Sequence, residues 1–268
     1  EVGEHLVGVA TLSSIVLFFS IFSLGLFFYY ASCRIRWLYL GLGLLDIATL
    51  IAMGRRASLL GLLVAFLFIA LFLRSWRRVG LGMVMVLTLI LGILLVTPRG
   101  RQILIRSDNL SLLLSGKYEA FRDAGSLGQR LYAWPYFLRY VLKHPLKGTG
   151  LGRKVVKEVL TPFREKYLPP SMTHGHNLFL NLALQAGIPA ALIFMILYGL
   201  LLKDSLGLTL RLPEPQNYLS SAGAVFFLAY LVAASFTGFD RYTKFLPFWF
   251  GLGILLGLKA YACSSNPE

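Results

Sequence analysis

The chain of 268 residues has few acidic side chains, with 12 Asp and Glu against 26 Lys and Arg. Charged residues of both signs make up only 14%, whereas a soluble domain usually carries about 25%. Hydrophobic types reach 57% and the mean hydropathy is +0.70. A single water-soluble core of this size cannot bury so much apolar surface. The scarcity of charge therefore excludes an ordinary soluble domain and predicts an integral membrane protein.

Cysteines and several well-known catalytic motifs are also scarce or absent. Cys33 and Cys263 are far apart and lack metal-ligand spacing, so we interpret both as packing residues and predict neither a disulfide framework nor a metal site. The sequence has no Gly-x-x-x-x-Gly-Lys-Ser/Thr loop, no His-Glu-x-x-His and no Gly-x-Ser-x-Gly. These absences exclude P-loop, zinc-protease and serine-hydrolase chemistry, and no cofactor is predicted.

Seven apolar segments predict an all-α, polytopic bundle of transmembrane helices. Each approaches the roughly 20 residues with which a helix crosses a bilayer, and none alternates like a barrel strand. The segments are Leu6–Tyr30, Trp37–Met53, Ser58–Leu73, Val79–Val96, Asn177–Leu202, Tyr218–Phe236 and Lys244–Ala262. They divide the chain into spans 1–4 (1–96), a large loop (97–176), spans 5–7 (177–262) and a C-terminal tail (263–268).

The short loops predict the orientation, because cytoplasmic loops are enriched in Lys and Arg. Eight basic residues fall in the loops after the first, third and fifth spans or near the end of the last span, against four in the opposite short loops or at the start of the last span. The first set is therefore cytoplasmic, and residues 97–176 lie outside. This outer loop holds 14 basic and five acidic residues, a net charge of +9. In a membrane protein such charge favours phosphates of lipids or of a lipid-linked substrate as partners, rather than nucleic acid.

Part of the outer loop has the spacing of an amphipathic helix. Large apolar residues recur at steps of three and four on one helical face, namely Leu127, Leu131, Trp134, Leu138 and Val141. We expect this helix to lie along the outer membrane–water interface, with a kink or restart at Pro135. His144-Pro145 should end the helix, and the glycines that follow predict a flexible turn.

The predicted topology places four residues capable of chemistry on the outer side of the membrane: Arg56, Arg130, His176 and Asp240. His176 opens the fifth span, where the helix dipole disfavours the imidazolium, so a neutral imidazole can accept a proton there. The alternative is a capping or interfacial histidine.

The arginines also allow two interpretations. Guanidinium groups bind phosphate in bidentate fashion, but Arg55 and Arg56 could anchor lipid headgroups. Arg130 could lie on a solvated helix face, and Asp240 could form a local ion pair with Arg241.

Three patterns together resemble the O-antigen ligase family. His176-Asn177, nine residues and Gly187 resemble the ligase motif, and Gly54 to Leu60 resembles a Ser-Arg-Gly-Ala segment whose arginine falls on Arg56. The third pattern, in the outer loop, is Arg130-Leu-x-x-Trp134 followed by His144-Pro-Leu-x-Gly148-x-Gly150. Asp240 matches a family acid by position alone. Ala190 departs from the Gly, Thr or Tyr that ligases often have there, which bears on the choice between ligase and polymerase.

The resemblance implies a metal-independent, inverting glycosyltransferase on the periplasmic face of the bacterial inner membrane, in a protein with further N-terminal spans. The donor would be a glycan on undecaprenyl diphosphate, and the acceptor a sugar hydroxyl of lipid A–core. His176 would be the general base, Arg56 and Arg130 would hold the diphosphate, and Asp240 would orient a basic residue or a sugar hydroxyl. Expected substrate-binding residues are Arg55, His174, Asn177, Arg139 and Arg153.

Two other functions stay open at this point. An O-antigen polymerase, or another oligosaccharide transferase of the superfamily, would use the same chemistry on a second lipid-linked glycan or a protein. A transporter or flippase for anionic lipid-linked glycans would favour charges at mid-membrane. Asp46 is the only acid within a predicted span, so the outer-face residues favour an enzyme.

Overall fold

The computed structural model describes residues 2–72, 77–98, 100, 110–151, 158–159, 161–162, 176–237 and 246–265. The regular secondary structure in these ranges is helical throughout, without a β-strand, which confirms the all-α prediction for this part of the chain. The helices are α1 Val2–Tyr29, α2 Arg36–Ala52, α3 Arg56–Phe72, α4 Arg77–Val96, α5 Leu110–Leu114, α6 Gly125–Lys143, α7 Leu178–Arg211, α8 Gln216–Thr237 and α9 Leu246–Ser265, with a 3-10 helix at Tyr118–Asp123.

Each of the seven predicted spans coincides with one of these helices. Four of them, α1, α7, α8 and α9, are long and apolar enough to cross a membrane. Helices α3 and α4 are apolar but shorter, so a bundle of seven crossings stays a prediction. The fifth span differs from its predicted end, because α7 continues to Arg211 rather than stopping at Leu202.

The chain divides into two compact units whose boundaries fall inside α4, α7 and α8. The first unit comprises Glu1–Gly92, Leu197–Ala233 and Tyr242–Glu268. The second comprises Ile93–Ile196 and Ala234–Arg241. The predicted outer loop therefore belongs to the second unit together with the beginning of α7.

The core of the first unit centres on α8. Its Phe226 and Tyr230 are fully buried, and the ring of Phe18 on α1 lies 5.2 Å from the ring of Phe226. Helix α3 approaches α8 so closely that a Cβ on Gly61 would lie 2.4 Å from the carbonyl oxygen of Ala229. Small residues at such contacts let helix backbones pack directly, which is a main source of helix association in lipid.

A polar seam joins the C-terminal part of α7 to α8 within the first unit. The Ser220 hydroxyl donates to the Ser205 carbonyl oxygen at 2.9 Å, and the Thr209 hydroxyl lies 3.3 Å from the Ser220 hydroxyl. These groups are buried, so the hydrogen bonds satisfy them where water is excluded. Interhelical bonds of this kind contribute on average about 0.6 kcal/mol in a membrane protein.

In the second unit, α6 packs against the beginning of α7. One buried cluster contains Tyr132, Ala133, Phe137 and Val141 from α6 and Ala183, Leu184 and Ala191 from α7. Helix α6 ends at Lys143, before His144-Pro145, as predicted. It continues through Pro135 as one helix, so the chain does not restart there, and a kink at Pro135 stays a prediction.

The face of α6 that is buried in the protein differs from the apolar face picked out by its sequence spacing. Leu127, Leu131 and Trp134 are half-buried and Leu138 is exposed, so only Val141 is common to both faces. The helix therefore has two apolar sides, a Leu/Trp side and a Tyr/Ala/Phe side, and the second one forms the protein contact. Placement of the first side on the membrane surface stays a prediction.

Candidate functional site

The turn between α2 and α3 positions Arg55 and Arg56. At the end of α2 the Gly54 N–H donates to the Ile51 carbonyl oxygen at 2.9 Å, and the Arg55 N–H donates to the Leu50 carbonyl oxygen at 3.2 Å. This pair of bonds is a Schellman motif, in which the residue directly after the helix C-cap adopts a left-handed conformation. Gly54 supplies it with φ of 61° at little steric cost. Helix α3 then begins at Arg56.

Both half-buried arginines consequently lie at a helix N-terminus. The first N–H groups of a helix lack intrahelical acceptors and carry the positive end of the helix dipole. The first turn of α3 contains no acidic residue. Two guanidinium groups at such an end make a site that suits a phosphate group.

His176 and Asn177 form the N-terminal cap of α7. The Asn177 Oδ1 accepts a hydrogen bond from the Leu180 N–H at 3.0 Å, the usual contact between an N-cap and the third helical residue. His176 precedes the cap with φ of 49°, the only positive φ of a non-glycine residue in the described ranges. Such a backbone costs about 1–3 kcal/mol, persists only where its surroundings fix it, and clusters at functional sites.

Gly187 interrupts α7 nine residues after the cap. Its φ of 87° and ψ of 168° lie in a region that only glycine populates readily. Residues 178–186 are therefore a separate helical segment, about 14 Å long at 1.5 Å per residue. The nine-residue spacing between His176-Asn177 and Gly187 is the length of this segment.

The turn after α6 satisfies the carbonyl groups that the break in α7 releases. In a continuous helix the Gln185 carbonyl would accept from residue 189, which is a proline and has no N–H. Here it accepts instead from the Gly150 N–H at 3.1 Å, and the Leu184 carbonyl accepts from the Thr149 N–H at 2.8 Å. Buried backbone groups are almost always paired, so this turn completes the broken helix.

The same turn also takes the released donor and packs directly against the α7 backbone. The Ile188 N–H donates to the Pro145 carbonyl oxygen at 2.7 Å. A Cβ on Gly187 would lie 2.3 Å from the Leu146 carbonyl oxygen, and one on Gly148 would lie 2.5 Å from the α7 backbone. Two patterns that are far apart in sequence, the outer-loop His-Pro-Leu-x-Gly-x-Gly and the glycine after His-Asn, thus form one junction.

Arg130 is tied to the C-terminal end of α8. Its Nη1 donates to the Phe236 carbonyl oxygen at 2.7 Å. The last carbonyls of a helix lack intrahelical donors and carry the negative end of the dipole, so an arginine there is stabilising. Arg130 therefore has a structural role at this helix end.

The helical segment that follows His176 packs against α6, the helix that contains Arg130. The turn at 144–150 bonds to the C-terminal end of residues 178–186, and Ala183 and Leu184 of that segment belong to the buried cluster with α6. The distance between Arg130 and His176 themselves stays a prediction.

Arg139 does not share the position of Arg130. The two arginines are nine residues apart on α6, which at about 100° per residue puts them on opposite faces. Arg139 is exposed, whereas Arg130 is half-buried. One phosphate group therefore cannot contact both side chains from a single face of the helix.

Two tyrosines and a glutamate stabilise α6 beside Arg130, a contact that the sequence does not reveal. The Tyr118 hydroxyl donates to the Tyr132 carbonyl oxygen at 2.5 Å, the two rings stack at 4.7 Å, and the Tyr132 hydroxyl donates to Glu119 Oε2 at 3.2 Å. Burial, reinforced by the negative charge of Glu119, raises the pKa of both tyrosine hydroxyls. Both therefore stay neutral donors near neutral pH.

The structure leaves the positions of several predicted site residues, or their approach to one another, untested. His174, Asp240 and Arg153 lie outside the described residues. Arg55 and Arg56 belong to the first unit, whereas Arg130 and His176 belong to the second, so their meeting in one cavity stays a prediction. Within the described ranges, no three His, Cys, Asp or Glu side chains form a group that could hold a metal ion.

Comparison with known proteins identifies the family. The sequence profile of the O-antigen ligase family matches residues 41–195, more than half of the chain. The chain belongs to the O-antigen ligase family. No curated protein sequence matches it significantly. The match covers Arg56, Arg130 and His176, whereas Asp240 lies beyond it.

Membership in the O-antigen ligase family, together with the four apolar helices, makes the chain a membrane protein of ligase or polymerase type. The structure also explains why two of the sequence patterns shared with the family contain a glycine. Gly54 ends α2 so that α3 begins with Arg56, while Gly187 opens α7 so that the turn after α6 can pair with it.

Proposed function

We propose that this protein is an inverting glycosyltransferase of the bacterial inner membrane, with its active site on the periplasmic face. It transfers a glycan from undecaprenyl diphosphate to a sugar hydroxyl of lipid A–core, without a metal or cofactor. The observation that carries the proposal is the left-handed backbone of His176 directly before the Asn177 cap. This left-handed residue belongs to the pattern of His-Asn, nine residues and glycine, and that pattern places a proton acceptor at the start of a helix.

His176 acts as the general base. The positive end of the α7 dipole disfavours the imidazolium, so the imidazole is available to accept a proton. It takes the proton of the acceptor hydroxyl while that oxygen attacks the anomeric carbon of the donor. The bond from the anomeric carbon to the diphosphate oxygen breaks, and undecaprenyl diphosphate leaves with the electron pair. Diphosphate is a good leaving group, so the reaction requires no general acid.

The arginines stabilise the charge that develops on the leaving diphosphate. Arg56 and Arg55 combine two guanidinium groups with the N-terminus of α3, and Arg130 lies on α6, which packs against the helical segment that His176 precedes. Asp240 orients a basic residue or a sugar hydroxyl. Arg139, on the other face of α6, contacts the phosphates of the second lipid substrate, while His174, Asn177 and Arg153 contribute to substrate binding.

A polymerase is the second candidate because of Ala190, which departs from the residues that ligases often have there. A polymerase would transfer the glycan to a second lipid-linked glycan by the same chemistry. The two candidates separate in one assay: purified protein in liposomes with undecaprenyl-diphosphate glycan and either acceptor. Product on lipid A–core supports the ligase, and a lengthened lipid-linked glycan supports the polymerase. No transfer to either acceptor overturns the enzyme proposal.

The arginine roles predict that Arg56→Lys and Arg130→Lys each lower the transfer rate about tenfold or more, because lysine keeps the charge but loses the bidentate fork. Arg122→Lys is the matched control, since Arg122 is an exposed outer-loop arginine paired with Asp123 at 3.4 Å, and it should keep normal activity. Full activity of both test variants in the liposome assay would reduce the arginines to a general charge effect.

A further inference from the structure

A cavity of about 680 Å³ opens between the C-terminal ends of α7 and α9 and the loop that follows α7. All of its lining lies in the first compact unit. Three cations and one carboxylate line it, namely Lys203, Arg211, Lys259 and Asp204. No part of the proposed glycosyl transfer uses these residues.

The charged side chains that line this cavity sum to a net positive charge. Lys259 Nζ lies 2.7 Å from Asp204 Oδ2, so these two charges offset each other. Lys203 and Arg211 form no ion pair within the described part of the chain, and both are exposed. The cavity therefore offers two cations to an anionic group.

The rest of the lining is mostly apolar, apart from the Tyr261 hydroxyl and the Cys263 thiol. Leu208 and Leu212 are only 8% and 6% exposed, and Gly207 leaves open space where a side chain would stand. Cations beside an apolar wall match an amphiphile that carries a negative headgroup and a hydrocarbon chain. A small inorganic anion would use only the cations.

The predicted topology puts this end of α7 and α9 on the cytoplasmic side of the membrane. Basic pockets between membrane helices on that side bind anionic lipid headgroups. We propose that the cavity binds an anionic phospholipid of the cytoplasmic leaflet, with its phosphodiester between Lys203 and Arg211 and its acyl chain along Leu208 and Leu212.

Cys263 provides the readout because it is an exposed thiol that lines the cavity. The full chain carrying Cys33→Ser is placed in vesicles of phosphatidylcholine, with or without phosphatidylglycerol, and treated with the uncharged reagent N-ethylmaleimide. Bound lipid should slow modification of Cys263 several-fold. Cys33, outside the cavity and also predicted to be cytoplasmic, is measured in a Cys263→Ser chain and should change little. That chain reports the general effect of a charged bilayer on thiol reactivity.

Two glycines of α7 make a matched pair of variants that test the cavity itself. A Cβ on Gly207 or on Gly199 meets no atom within 4 Å, but only Gly207 lines the cavity. Gly207→Phe should abolish the protection of Cys263 by phosphatidylglycerol, and Gly199→Phe should retain it. The double variant Lys203→Gln and Arg211→Gln should also lose it.

Three results would overturn the proposal. The first is an equal Cys263 rate in the two kinds of vesicle, and the second is protection that survives Gly207→Phe. The third is equal protection by soluble glycerol 3-phosphate in phosphatidylcholine vesicles, which would assign the cavity to a free phosphate compound. Each can occur whether or not the protein transfers glycans, so this test is independent of the proposed enzyme.

Discussion

The α2–α3 turn and the junction of α6 with α7 both depend on a glycine of positive φ, but they differ in how far apart the bonded residues are in sequence. At Gly54 each hydrogen bond joins residues three to five positions apart. At Gly187 the bonds join residues 145–150 to residues 184–188, separated by at least 35 positions. The first turn forms from its own sequence, whereas the second requires a neighbouring segment.

Because of this difference, we expect Arg56 and His176 to respond differently to substitutions elsewhere in the chain. Arg56 is placed by local geometry, so changes elsewhere in the chain should disturb it little. His176 starts a short helical segment that is held at its far end by the turn after α6. Substitutions in that turn, or at Gly187, should therefore reach His176 although they contact no substrate.

The largest expected effect is that of Gly187→Ala. The new side chain would require a backbone conformation that alanine avoids and would place its Cβ 2.3 Å from the Leu146 carbonyl oxygen. Strain and overpacking together should lower the free energy of unfolding by roughly 2–6 kcal/mol. Unfolding of the purified protein in detergent measures this loss. Gly199→Ala in the same helix meets no atom within 4 Å and should be neutral or slightly stabilising.

Gly54→Ala measures the cost of losing the glycine at the local turn between α2 and α3. It places alanine at φ of 61°, which costs about 1–2 kcal/mol for a left-handed residue, and it breaks no long-range contact. Its effect should therefore be smaller than that of Gly187→Ala. If the two losses were equal, or if Gly187→Ala were tolerated, the junction would not need the close approach that the structure shows.

Asn177→Ala should have an intermediate effect. Loss of the side-chain bond to the Leu180 N–H typically costs about 1 kcal/mol for an N-cap. Asn177→Ser can still cap the helix and should restore stability, as measured by unfolding, but transfer in the liposome assay should stay below the wild-type level because the amide that contributes to substrate binding is missing. Full recovery of both would leave Asn177 with a capping role alone.

Tyr132→Phe should have the smallest effect, about 0.5 kcal/mol for one partly exposed hydrogen bond. Its pH dependence has a defined sign. The pKa of Tyr132 is raised in the folded state, so the stabilisation is fully present below about pH 10, the usual tyrosine pKa. It is lost as pH rises through the higher folded pKa. The stability difference between wild type and variant should therefore shrink in strongly alkaline solution, and a difference that grew there would contradict the contact with Glu119.

The helices and the local turns were predictable from sequence because their signals are local. Apolar runs located the long helices, and His144-Pro145 located the end of α6. The bond from Arg130 to Phe236 spans 106 positions, and no periodicity reports such a contact. The buried face of α6 was missed for a related reason. Its two sides are both apolar, and spacing alone cannot tell which one packs against protein.

Single-turnover transfer by His176→Asn tests the general-base role of His176 most directly. Asparagine accepts the left-handed backbone that His176 adopts, but it cannot serve as a base near neutral pH. We expect a loss of about 10²–10⁴-fold with both substrates saturating, and an unchanged free energy of unfolding. His176→Ala should lose as much activity, and His174→Ala much less. The wild-type rate should fall as pH drops through the histidine range, because an imidazolium cannot accept the proton of the acceptor hydroxyl. Near-normal turnover of His176→Asn, or an inactive His174→Ala with an active His176→Asn, would rule out His176 as the general base.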